Sequence, residues 1–185
     1  MEWNLLVTAH RFQAREARQQ LKELAGVELR PTPFRDVLVG KVDNPDKLFQ
    51  SLAEATGVSG VPGAPVFLPA FSRLVPLQES FSFKPEELLS ELQKRVEKYS
   101  GWIPTGASFA VFVERRGLKG TLNSAQMERS LAEHLWRTLE GQGKKPKVDL
   151  ENPDFSVAVE ILGTECGLGL IPKELRERFP FVKPD

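Results

Sequence analysis

Ser108-Phe109-Ala110-Val111-Phe112-Val113-Glu114-Arg115-Arg116-Gly117-Leu118-Lys119-Gly120-Thr121-Leu122-Asn123-Ser124 reads as a strand, a turn and the start of a helix. Phe109, Val111 and Val113 alternate with Ala110 and Phe112, the period of two that sends successive side chains to opposite sheet faces. Both sets are apolar, which predicts a strand covered on both sides. Arg115 to Gly120 follows as a basic turn bounded by glycine. Asn123-Ser124 starts a helix, and Gln126 stands where it completes a capping box with Asn123. Met127, Leu131, Leu135 and Leu139 then recur at helical spacing and are assigned to a core.

Outward from this stretch, Pro85 opens a helix whose inner face is Leu88, Leu92, Val96 and Tyr99. Gly101 and Pro104 end it, with Trp102 and Ile103 expected beneath. On the other side, Gly141 to Lys147 is a basic loop. Val148 to Leu150 and Phe155 to Ile161 read as strands separated by an Asn152-Pro153 turn. Gly167 to Ile171 is a last short strand, and Glu174 to Phe179 a turn or two of helix.

The first part of the chain has its own order. Trp3 to Ala9 is a strand, and Gln13 to Leu24 a helix with Ala17, Leu21 and Leu24 on one face. Arg11, Arg15, Arg18 and Lys22 lie opposite. Val27 to Leu29 and Val37 to Val42 are strands, with Pro31 and Pro33 breaking the connection. Asn44-Pro45 starts a second helix with Leu48, Leu52 and Ala55 inward. Gly57 to Pro65 is a loop. Pro69 separates two further strands, Val66 to Leu68 and Leu74 to Leu77. The order β-α-β-β-α-β is ferredoxin-like. The expectation is an α+β protein, with a ferredoxin-like module over residues 1–74 and a second α/β module over 75–185.

With 185 residues, 41% of them hydrophobic, the chain can bury a core, so wholesale disorder is excluded. Twenty-five basic residues balance 25 acidic ones, so nucleic-acid binding has to come from a local patch. Residues 103–150 carry eight Lys/Arg against five Asp/Glu, and residues 151–185 carry four against seven. The positive part therefore surrounds the basic turn and Lys144-Lys145-Pro146-Lys147. A single cysteine and two histidines exclude an intrachain disulfide and a Cys/His zinc cage. The start Met1-Glu2-Trp3-Asn4 lacks a signal-peptide pattern, and no stretch reaches the roughly 20 apolar residues of a membrane span. A cytoplasmic protein with no membrane partner is expected.

Enzymatic motifs are sparse. The glycines at 57–63 lack the lysine of a P-loop. His10, beside Arg11, suits a phosphate contact or a satisfied loop residue. His134 is assigned as a structural or surface histidine, and Cys166 as a packed thiol with no neighbouring base. Asp149, Glu151 and Asp154 flank Asn152-Pro153 and read as turn chemistry, so neither a metal nor a cofactor is expected. The basic turn stands apart. It sets Arg115, Arg116 and Lys119 beside a helix start whose unpaired N–H groups attract phosphate. A solvated turn before a well-capped helix fits the same residues. Lys144 and Lys145 suit either RNA contact or a solubilising surface.

Four segments in order resemble the THUMP domain family: Ser108 to Gly117, Leu122-Asn123-Ser124 with Glu128-Arg129, Val148 to Asp154, and Val157 to Ile161. The resemblance covers roughly residues 75–172, and its nearest form is the stand-alone THUMP proteins related to the adaptor for tRNA cytidine N4-acetylation. It implies an RNA-binding module that docks tRNA through the acceptor stem and 3′ end, while a separate enzyme performs the modification. Carried over, Arg115, Arg116, Lys119, Asn123 and Ser124 become RNA-contact residues, with Arg129 one turn into the same helix. The sequence departs from the family at Phe112-Val113-Glu114, where a further basic residue is common. The chain also ends at Asp185 with no methyltransferase, thiolation or deaminase domain following. The expected function is a non-catalytic tRNA-binding adaptor. A small enzyme built around His10 and nearby cations, or a protein-interaction module, are the alternatives.

Overall fold

The computed structural model describes residues 2–57 and 67–185, and the chain divides into two compact units. The first comprises the residues up to Leu77 together with Arg178–Lys183; the second comprises Gln78–Glu177 with Pro184–Asp185. The sequence pattern set the boundary at 74/75 and left the whole tail in the second module.

In the first unit, β1 (Leu5–Ala9), α1 (Ala14–Ala25), β2 (Leu29–Pro31), β3 (Val37–Gly40), α2 (Pro45–Gly57) and β4 (Phe71–Pro76) follow the β-α-β-β-α-β order. The sheet runs β2-β3-β1-β4, antiparallel throughout. This is the ferredoxin-like arrangement. α1 buries Ala17 and Leu21 and stops at Gly26, whose φ of 66° lets its N–H return to the carbonyls of Leu21 and Lys22. α2 starts where Asn44 Oδ1 accepts from the Lys47 N–H at 3.1 Å.

Two local expectations change here. Pro31 is the last residue of β2 and pairs with Leu38, as an edge strand permits, so the break in the connection begins after it rather than at it. The fourth strand starts at Phe71, three residues earlier than expected. Of the segment Val66–Leu68, Phe67 and Leu68 are in no strand, and the Leu68 carbonyl is taken by Gln20 Nε2 at 2.9 Å. Val66 and the 58–65 loop lie outside the described residues.

The tail closes the other edge of this sheet. Leu74 N–H donates to the Phe181 carbonyl at 2.9 Å, and Lys183 N–H to the Leu74 carbonyl at 3.2 Å. Phe179 and Phe181 place their rings 5.6 and 6.0 Å from that of Phe49. An exposed edge of β4 is thereby paired, and two aromatic rings are packed against it.

The second unit contains β5 (Glu79–Ser82), α3 (Leu88–Val96), β6 (Ser108–Arg116), α4 (Ser124–Gly141), β7 (Lys147–Val148), β8 (Phe155–Leu162), β9 (Glu165–Pro172) and all but the last residue of α5 (Lys173–Arg178). Its sheet runs β5-β9-β8-β6-β7. β6 is parallel to β7 and β8, while β9 is antiparallel to β8 and β5. α3 and α4 lay Leu88, Leu92, Val96, Met127, Leu131, Leu135 and Leu139 against Phe109, Val111 and Val113 of β6 and Val157, Val159 and Ile161 of β8. The helical and strand periods read from the sequence meet in this core. On the opposite face of β6, Ala110 is buried and Phe112 half-buried, so that cover is less complete than expected.

Three further differences are local. β5 was not anticipated, and β7 ends at Val148, leaving Leu150 exposed. Ile103 is buried, but Trp102 is 54% exposed, its ring 5.3 Å from that of Tyr99 rather than tucked beneath the helix.

Candidate nucleic-acid interface

β6 continues three residues further than the alternating apolar run, so Arg115 and Arg116 are its last members and point to opposite faces. The parallel register pairs Glu114 with Glu160 and Arg116 with Leu162. Arg116 therefore lies on the face that carries Glu160, and its Nη1 donates to Glu160 Oε2 at 2.8 Å. The Glu160 side chain is fully buried and that of Arg116 only 21% exposed. A carboxylate there requires a cation, and Arg116 supplies one. The structure thus places the Arg116 guanidinium inward on Glu160, apart from the exposed cations with which the sequence reading grouped it.

Arg115 faces the other way. Its Nη1 donates to the Gly117 carbonyl, bracing the turn that follows, and its Nε has no acceptor among the described residues. Gly117, Leu118 and Gly120 all have positive φ, at 89°, 52° and 83°. The N–H groups of Thr121 and Leu122 both return to the Leu118 carbonyl at 3.1 Å. The segment is thus an ordered, tightly wound turn.

The helix start beyond it forms as read. Asn123 Oδ1 accepts from the Gln126 N–H at 3.0 Å. The reciprocal half of the capping box is not formed, and the Gln126 side chain stays exposed. The N–H groups of Ser124 and Ala125 have no acceptor among the described residues, which leaves the positive end of an 18-residue helix open to solvent. Arg115, Asn123, Ser124 and Gln126 line one groove, together with Gly120 and Thr121.

The remaining sequence-derived residues lie outside that groove. The Lys119 and Arg129 side chains are exposed and have no ion-pair or hydrogen-bond partner among the described residues. Lys145 is likewise exposed and unpaired among them. Lys144 is committed elsewhere: its Nζ donates to the carbonyls of Ser100 and Ile103, the latter at 2.7 Å. The ammonium ties the α4 exit to the turn after α3, which sets it apart from the exposed Lys145.

Glu128 shows a role that spacing alone did not reveal. Its Oε1 accepts the Val113 N–H at 2.9 Å, satisfying β6 beyond the short β7. Candidate catalytic groups also have structural partners. His134 Nε2 lies 2.9 Å from Glu97 Oε1. Burial pushes the Cys166 thiol far up, away from the reactive thiolate. Asp154 accepts from the Ser108 N–H at 2.8 Å and from Ser108 Oγ at 3.1 Å, and these bonds hold its carboxyl below the usual range. Asp149 Oδ1 accepts from the N–H groups of Glu151 and Asn152 at 3.0 and 2.9 Å, which is turn chemistry.

The sequence pattern of the THUMP domain matches residues 86–171, which spans α3 to β9. This segment is a THUMP domain. Two probable tRNA sulfurtransferases, from Methanosarcina mazei and Methanosarcina acetivorans, are 36% and 35% identical to the chain over 78 and 81 residues. Those stretches are 38% and 40% of this chain but only 19% of each relative, so the match spans about a fifth of their length. TrmN from Thermus thermophilus shares the fold with a TM-score of 0.61 at 24% identity, over 97% of this chain and 48% of that one. A 4-thiouridine synthetase solved with RNA and ATP gives 0.57 at 13% identity, over 92% and 41%. At these identities the likeness is one of fold. The groove at Arg115–Gln126 lies within the THUMP domain. Among the described residues, no helix is long and apolar enough to cross a membrane.

Proposed function

We propose that this chain is a non-catalytic tRNA-binding adaptor that presents the acceptor stem and 3′ end of tRNA to a separate modifying enzyme. The observation that carries the reading is the THUMP domain with an open, positively polarised helix start at Asn123–Ser124 beside outward cations. The tRNA sulfurtransferases among its relatives support tRNA as the ligand. The resemblance to the cytidine N4-acetylation adaptor makes a cytidine acetyltransferase the first partner to test.

Recognition would proceed through phosphates and shape, because the edges of a duplexed stem offer side chains little sequence information. Lys119, Arg129 and Lys145 supply charge on long side chains, while Asn123, Ser124 and the bare N–H groups of the first turn clamp backbone oxygens. Arg115 braces the turn and borders the groove. The engagement of His134 with Glu97 and the burial of Cys166 support a binding role over a catalytic one.

The test is a salt titration of tRNA binding with the Lys119→Ala/Arg129→Ala variant. Removing one cation from a phosphate flattens the slope of log affinity against log salt by about 0.7 to 0.9. The double variant should therefore bind more weakly, with a slope flatter by about 1.5 units. Unchanged affinity and slope in a folded variant would remove these cations from the interface. Turnover of tRNA with acetyl-CoA or S-adenosylmethionine by the purified chain would end the adaptor reading.

A further inference from the structure

We infer that Phe12, in the ferredoxin-like unit, is a stacking platform for one unpaired nucleobase, with Arg11 and Arg35 holding its phosphates. The inference rests on the RNA-binding reading above. Phe12 lies between β1 and α1 and is 66% exposed, although a phenylalanine ring is among the side chains most favoured by burial. Its backbone is also unusual. Phe12 has a φ of 63°, a left-handed conformation that bulky L residues rarely adopt.

The strain is held in place by a second such residue. Asp36 has a φ of 58°, and its Oδ2 accepts the Phe12 N–H at 3.1 Å. Further backbone bonds close the loop: Ala9 N–H to the Asp36 carbonyl at 2.8 Å, and Gln13 N–H to the His10 carbonyl at 2.9 Å. Two non-glycine residues with positive φ are thus bonded to each other beside one exposed aromatic ring. Strain of this kind concentrates at functional sites.

The surroundings of the ring define its ligand. The guanidinium carbons of Arg11 and Arg35 lie 5.0 and 5.3 Å from its centroid. Both arginines are exposed, and neither has a carboxylate partner among the described residues. Two unneutralised planar cations around one exposed aromatic ring suit a group that is both flat and anionic. A nucleotide has both properties, and only an unpaired one offers a free base face.

The experiment compares the full chain with its Phe12→Ala and Phe12→Trp variants on tRNA, a short single-stranded oligoribonucleotide and a blunt RNA duplex of equal length. Phe12→Ala should weaken single-strand binding by about 5- to 150-fold and leave duplex binding nearly unchanged. Its salt slope should match wild type, since no charge is removed. Phe12→Trp should keep wild-type affinity or exceed it. Should Phe12→Ala fail to fold, Phe12→Gly removes the ring while suiting the positive φ. Wild-type affinity for the single strand in a folded Phe12→Ala or Phe12→Gly protein overturns the stacking role alone, provided that Lys119→Ala/Arg129→Ala still weakens tRNA binding. Equal weakening on single strand and duplex overturns it as well, because it would show that Phe12 only positions the loop. A wild-type chain that binds none of the RNAs overturns the RNA-binding reading first.

Discussion

Replacing Arg116 by alanine separates the two roles that its sequence position suggested. The side chain joins the fully buried Glu160 carboxylate at 2.8 Å and is itself only 21% exposed. Taking one partner from a buried ion pair destabilises by about 3–5 kcal/mol, because a buried charge loses its compensation. The partial exposure of Arg116 lets water approach, which places the expectation near the lower end, about 3 kcal/mol. For a chain of this size each kcal/mol moves the melting midpoint by roughly 2–4 °C, so Arg116→Ala should melt about 6–12 °C below wild type. Arg116→Ala/Glu160→Gln should recover part of that stability, because the neutral amide no longer demands a cation. Circular dichroism melts report the stability, and tRNA titrations below the transition report the salt slope, which should stay at its wild-type value. A variant that melts like wild type but whose salt slope is flatter by about 0.7 to 0.9 would refute the reasoning and make Arg116 a phosphate ligand.

Three other outcomes are expected. Lys144→Met should destabilise by about 1.5–3 kcal/mol, the range for hydrogen bonds to a charged group, with no change in tRNA salt slope; a flattened slope without destabilisation would contradict the inward assignment. Asp154 has a depressed folded pKa, so its contribution is present above the ordinary carboxylate value near 3.8 and is lost as pH falls through the folded value. Melting curves of Asp154→Ala should accordingly show a shallower acid limb below about pH 4 than wild type, and parallel limbs would count against it. Cys166 should resist Ellman's reagent at about pH 8 in the native chain and react fully in denaturant, whereas prompt native labelling would show that the thiol is accessible.

The elements of the fold that could be read in the sequence were those whose apolar residues repeat. α4 offers Met127, Leu131, Leu135 and Leu139 at helical spacing, and all four are buried in the core. β5 left no such trace. Glu79–Ser82 contains one aromatic residue, is an edge strand, and owes its conformation to pairing with β9. β9 itself starts two residues before the apolar run because its first residues answer β5 and β8. The return of Arg178–Lys183 to β4 spans more than a hundred residues of sequence, a distance over which local periodicity carries no information.

Charge was the least legible property, and the reason is geometric. Arg115 and Arg116 are chemically identical neighbours, but a strand turns alternate residues to opposite faces, so one borders an open groove and the other enters the protein. Which is which depends on how far β6 extends, and that is fixed by its pairing with β8. One clue did lie in the sequence. Val157-Ala158-Val159-Glu160-Ile161 places a carboxylate inside a run that only a buried strand would use, and a buried carboxylate requires a cation from a neighbouring strand. That demand, matched against the candidate cations, withdraws one of the two arginines from the surface. Lys144 carried no equivalent warning, because the acceptors of its ammonium are backbone carbonyls of Ser100 and Ile103, which any sequence would supply. What distinguishes a ligand-binding cation from a structural one is therefore the unmet demand elsewhere in the fold. By that criterion Lys119, Arg129 and Lys145, which answer no such demand among the described residues, are the charges that the proposed RNA interface would draw on.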